Sequence, residues 1–199
     1  MPAAEHRITP ADLIPDSQYA RERSARRTAL LPLKRLRRVS LGPFCTVIFE
    51  SYVTMLFQVQ EMLLTEKGGA EQVPDELAAY NPLIPQGSEL VATVMFEIDE
   101  PVRRAAALAR LGGVEDCFFL QCADVRSPGI PEEGDNVERT REDGKTSSIH
   151  FLRFALTEPM KPVFRDPAVT IAVGCDHEHY AHMAMLSPAS RAELARDLS

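Results

Sequence analysis

Apolar and polar positions along the chain repeat with two periods, and the switches between them mark out the elements. Behind the proline-led starts in ITPADLIPD, the segment SQYARERSARRTALL is built of good helix formers and predicts a helix that Pro32 kinks or divides. VSLGPFCTVIFE is rich in β-branched and aromatic residues and predicts a strand, with Gly42-Pro43 as a bulge or an edge. A long helix follows from about Ser51 to Lys67, stopped by Gly68-Gly69, and PDELAAYNPLIP gives a short one opened by Pro74. SELVATVMFEID alternates as a strand with Leu90, Ala92, Val94, Phe96 and Ile98 on one face. EPVRRAAALARLGG returns to helix and DCFFLQC to strand. SIHFLRFAL and AVTIAVGC are two further strands around the short helix TEPMKPVFR, and SPASRAELARDL is a capped terminal helix.

Helices that precede, interrupt and follow the strands without strict βαβ alternation predict the α+β class. The expectation is a single domain over 1–199, with an about five-stranded mixed or mainly antiparallel sheet packed with a long central helix. Residues 123–148, nearly devoid of apolar side chains, are expected to be a flexible polar loop, either disordered or a lid.

Composition narrows the setting. A chain of 199 residues, 45% hydrophobic, can bury one sizeable core, and its longest apolar windows fall far short of the ~20 residues of a membrane span. The start MPAAEHRITPADL carries no signal pattern, so a cytoplasmic protein with no membrane association is expected. Cys45, Cys117, Cys122 and Cys175 form no CxxC pair and are expected to be reduced. The net charge is −7, yet residues 1–40 hold nine Lys or Arg against four acids, which makes that part +5 and the remainder −12. An acidic body with few aromatics in its basic segment argues against nucleic acid and for a basic N-terminal helical segment over 1–38 that is solvated or faces a partner. Arg26, Arg27, Arg35 and Arg37 are the candidate docking residues, and the sequence leaves room for a homo-oligomer.

Two polar patterns are candidates for chemistry. At about 100° per residue, Glu50, Thr54, Gln58, Glu61 and Thr65 fall within roughly 80° of one another, opposite an apolar arc of about 220°. This stripe either faces water or lines a cavity. Gln60 sits alone in the apolar arc, where it must find hydrogen-bond partners. The second pattern is GCDHEHYAHM. If its strand runs to Tyr180, His177 and His179 share a face with Cys175, while Asp176, Glu178 and Tyr180 take the other. His177 with His150 and Glu61 could hold Fe, Mn or Zn, and His182 could join if the chain turns near His179. A core histidine bonded to backbone groups is the alternative, and no cofactor is certain. Cys175, two residues from His177, is a weak nucleophile candidate. No GxGxxG, GxxxxGK, GxSxG or HExxH is present.

RITPADLIPDSQYARER, FESYVTMLFQVQEMLLTEK, DELAAYNPLIP and VGCDHEHYAHM together resemble an uncharacterised bacterial family, a domain of unknown function of about 200 residues. The matching positions are Phe49, Glu50, Thr54, Gln58, Gln60, Glu61, Met62 and Glu66 on the helix, Tyr80, Asn81 and Pro82 after it, and Asp176, His177 and Tyr180 in the last motif. The resemblance implies companions of the rubrerythrin and heterodisulfide-reductase-type iron–sulfur oxidoreductase kinds, hence an accessory protein of peroxide defence or electron transfer with a redox partner. The alternative reading is a metal-dependent enzyme with a His/Glu site.

Overall fold

A computed structural model describes residues 6–132, 140 and 145–199. Among them, eight strands form one antiparallel sheet in the order β1-β2-β3-β6-β5-β4-β7-β8. The strands are β1 (Arg38–Leu41), β2 (Cys45–Phe49), β3 (Glu89–Phe96), β4 (Phe118–Cys122), β5 (Val125–Pro131), β6 (Ile149–Ala155), β7 (Ile171–His177) and β8 (Tyr180–Met185). Six helices accompany them: α1 (Asp16–Leu36), α2 (Tyr52–Glu66), α3 (Val73–Tyr80), α4 (Pro101–Ala109), α5 (Met160–Arg165) and α6 (Pro188–Leu194). No helix among the described residues is long and apolar enough to cross a membrane.

The sheet curls until its two edge strands meet. Tyr180 on β8 donates its hydroxyl to the Leu41 carbonyl at 2.7 Å and accepts the Cys45 N–H at 3.0 Å, so one side chain bridges the seam of a nearly closed barrel. Burial pushes this phenol up to about 12 and keeps it a neutral donor. The barrel interior is the main core, filled by alternate residues such as Val47, Leu90, Val94, Leu120, Phe154 and Val173.

This corrects the expected five-stranded sheet around a central helix. VSLGPFCTVIFE is two strands, because Gly42 adopts φ +72 and turns the chain back on itself. YAHMAM pairs with β7 although its outward Met183 and Met185 are 59% and 74% exposed, which hides the usual contrast between faces. VRSPGIP is β5, inside the expected polar loop 123–148; its inward positions are Ser127 and Gly129 rather than apolar residues. A Cβ on Gly129 would lie 2.9 Å from the Phe154 ring, so glycine lets the strand close onto its neighbour. Residues 133–139 and 141–144 of that loop lie outside the described residues.

Helix α2 is not central. It packs on the outer face of the barrel, where Met55, Val59 and Leu63 meet Ile8, Leu83, Ile84 and the outward Val91 in a second, separate core. Its wide apolar arc is covered by Val91 of β3 and by α1 and α3, and still leaves Val53 48% exposed. Ser51 caps the helix by accepting the Thr54 N–H, and Lys67 ends it in the left-handed conformation.

Candidate functional site

The histidine-rich motif makes a hairpin. Strand β7 ends at His177, residues 178–179 form the turn, and β8 begins at Tyr180, with His177 paired to Tyr180. Alternation holds to His177, which points inward behind Cys175 and is 8% exposed. Its Nδ1 accepts the His179 N–H at 3.2 Å, and its Nε2 donates to the Gly112 carbonyl at 3.3 Å. Both ring nitrogens therefore serve the backbone. His179 lies in the turn, exposed, with Nε2 3.5 Å from Glu178. The His182 ring lies edge-on to Tyr180 with centroids 4.5 Å apart and covers Gly42. Asp176 faces outward toward Arg126 at 3.3 Å.

The other proposed ligands lie elsewhere. His150 is inside the barrel, its Nε2 donating to the Ser147 carbonyl at 2.9 Å and lying 3.2 Å from the Thr146 hydroxyl. Glu61 is on α2 outside the barrel, where it accepts the Tyr19 hydroxyl at 2.8 Å and a two-pronged contact from Arg23. Among the described residues no three His, Cys, Asp or Glu are grouped to hold an ion. Burial pushes the Cys175 thiol up to about 12, away from the reactive thiolate.

The polar stripe behaves differently, because its upper half lines a cavity. Glu50 directly follows β2, and its backbone is held by its own N–H to Val91 O at 2.7 Å and by Arg37 Nη1 donating to its carbonyl at 3.0 Å. Its side chain is buried. Oε2 accepts the Thr54 hydroxyl and Oε1 the Thr93 hydroxyl, both at 2.7 Å. No cation pairs with it among the described residues, and burial pushes the carboxyl above its ordinary range, against the pull of those hydroxyls and of Lys34 and Arg37. The cavity of about 360 Å³ is lined by Glu50, Thr54, Gln58, Tyr80 and Thr93 on its polar side and by Ile48, Met55, Leu83, Met95, Ile149 and Phe151 on its apolar side. Lys34 and Arg38 also line it. Gln58 hydrogen-bonds Tyr80, whose hydroxyl is pushed up mainly by burial.

Periodicity pointed to Glu50, Thr54 and Gln58; Tyr80 came from the family motif. Thr93, Lys34 and Arg38 were missed. The signal for Thr93 was available, as it is the one hydroxyl among the outward positions of β3, between the apolar Val91 and Met95.

Two amides fasten the N-terminal segment to this layer. Gln60, 4% exposed, accepts the Ile14 N–H at 2.8 Å and donates to the Ile14 carbonyl at 3.3 Å. Asn81 does the same to Ile8, at 2.7 and 3.0 Å. Of the four candidate docking arginines, Arg26, Arg27 and Arg35 are exposed, Arg26 pairing with Glu22 of its own helix. Arg37 is not available for docking. It is 2% exposed and bonds Asp197 through both terminal nitrogens at 2.8 Å, and Glu193 at 3.0 Å.

A family described as a protein of unknown function, DUF3501, matches residues 7–198. A crystal structure described as a novel protein of unknown function from Burkholderia pseudomallei K96243 is 37% identical, covering 96% of this chain and 99% of that one with a TM-score of 0.87. Comparison with curated proteins finds no match. The chain belongs to the DUF3501 family.

Proposed function

We propose that this protein binds a small molecule in the cavity beside α2, with Glu50 as the recognising group. The observation that carries the reading is a buried carboxyl partnered, among the described residues, by two hydroxyls and no cation, opening on about 360 Å³ of space. A carboxylate accepts about four hydrogen bonds, so Glu50 retains capacity for a ligand. One apolar wall facing a few convergent polar groups is the usual composition of a small-molecule site, and the volume lies at the lower end of such sites. The test is a ligand-observed NMR screen of small polar fragments against the full chain and a Met95→Trp variant that fills the cavity from β3. Hits that vanish with Met95→Trp support the site; hits unchanged by it place binding elsewhere.

A second reading, that of an accessory protein for a redox partner, has its own support. Exposed Arg26, Arg27 and Arg35 lie along α1, and Arg26 borders an apolar groove of about 320 Å³ between α1 and α2, lined by Ile14, Leu30, Leu33, Val53, Leu56 and Phe57. Such a surface suits an acidic partner with an apolar anchor. The redox character rests on the resemblance to companions of rubrerythrin and the iron–sulfur oxidoreductase. Co-purification with either at low and high salt checks it. Recovery should fall with salt and be lost in Arg26→Glu/Arg27→Glu; equal recovery in every condition, or none in any, would count against it.

A further inference from the structure

The charges around the cavity narrow the ligand. Glu50 and Lys34 both line it, and Lys34 is near enough to draw on the Glu50 carboxyl electrostatically, yet the two form no ion pair. Lys34 instead lies over the Phe57 ring, 4.8 Å from its centre, and no acid pairs with it among the described residues. The other cation in the lining, Arg38, is engaged by Glu97 at 2.6 Å and by Thr46. Two residues of opposite charge thus line one cavity without forming an ion pair. A buried carboxylate without a cation is costly, and a ligand ammonium would relieve that cost. A ligand carrying only a positive charge would meet Lys34, however, and one carrying only a negative charge would meet Glu50.

Building on the cavity reading, we infer that the ligand is a small zwitterion with an apolar body, of the apolar amino-acid class. Its ammonium sits on Glu50 between Thr54 and Thr93, its carboxylate faces Lys34, and its side chain lies against Met55, Leu83, Met95 and Phe151. Each charge has one protein group to answer it, and discrimination comes from leaving a buried polar group unanswered when either end is missing.

Calorimetric titration of the full chain with L-phenylalanine, L-leucine, phenethylamine and hydrocinnamate tests this. At least one amino acid is expected to bind, with each single-charge analogue weaker by about tenfold or more. Glu50→Gln should abolish the advantage of phenylalanine over hydrocinnamate, and Lys34→Met its advantage over phenethylamine. The second variant lies at the rim and keeps the test readable if the first unfolds. Either single-charge compound binding as tightly as phenylalanine would overturn the zwitterion while leaving the cavity reading in place. No binding by either amino acid up to about 10 mM would also overturn it, and hits in the fragment screen would then separate that failure from failure of the cavity itself.

Discussion

The β7–β8 hairpin and the start of α2 each crowd polar side chains into a few residues, and the fold treats them in opposite ways. In the hairpin, His177 points into the barrel, His179 stands in the turn and His182 covers Gly42 across the seam. On α2 and two residues before it, Glu50, Thr54 and Gln58 stay together and meet Tyr80 and Thr93 from other elements around one cavity. The difference is one of period. Neighbours in a strand diverge to opposite faces and a turn ends even that order, whereas a spacing of four on a helix keeps side chains on one face. A dense motif is thus poor evidence of a site unless the local period makes its members converge.

The comparison can be broken at its anchors. Arg37→Met should have the largest effect, about 3–5 kcal/mol in urea unfolding, because it strands Asp197 at 3% exposure and releases the Glu50 carbonyl. A loss under about 1 kcal/mol would mean that the buried pair does not hold the helical layer to the barrel. Gln60→Leu should cost about 1–3 kcal/mol, since both backbone groups of Ile14 lose their partner. An unchanged melt would show that the N-terminal segment is not fastened there.

Smaller effects sharpen the contrast. His177→Ala should cost about 1 kcal/mol and His179→Ala less than about 0.5, with neither changing the response of the melting temperature to added zinc, iron or manganese. A metal-induced stabilisation that disappears with His177→Ala would restore the hairpin as a site. Glu50→Gln tests the other side through pH. Because burial raises the folded carboxyl above its unfolded value, the folded state holds the proton longer. The stability tied to Glu50 is therefore full below the unfolded value and falls as pH rises through the folded one. The melting temperature of Glu50→Gln relative to wild type should accordingly climb as pH rises above the ordinary glutamate value of about 4.3, and a flat difference would deny the shift.

How much of this was legible follows the same logic. β3, β6 and β7 could be read with their inward faces because Leu90 to Phe96, His150 to Phe154 and Ile171 to His177 alternate against a single core. β1, β5 and β8 could not, since a tight turn at Gly42, the prolines of VRSPGIP and the exposed methionines of β8 each erase that contrast. The burial of Gln60 was legible, as a lone amide in an apolar arc must be answered. That the stripe lines a cavity was not, because Tyr80, Thr93 and Lys34 reach it from distant parts of the chain, and Arg37 looked like its exposed neighbours until Asp197 arrived beside it.

The central claim is that ligand binding lies with the Glu50 carboxyl beside α2, which no cation pairs with among the described residues, rather than with the histidine hairpin. Its most direct test is a pH titration of the Glu50 carboxyl carbon by NMR in the intact protein, assigned by its absence in Glu50→Gln. The account predicts a midpoint above the ordinary glutamate value of about 4.3. A midpoint at or below that value would mean that Glu50 is solvated or already paired, and would contradict it.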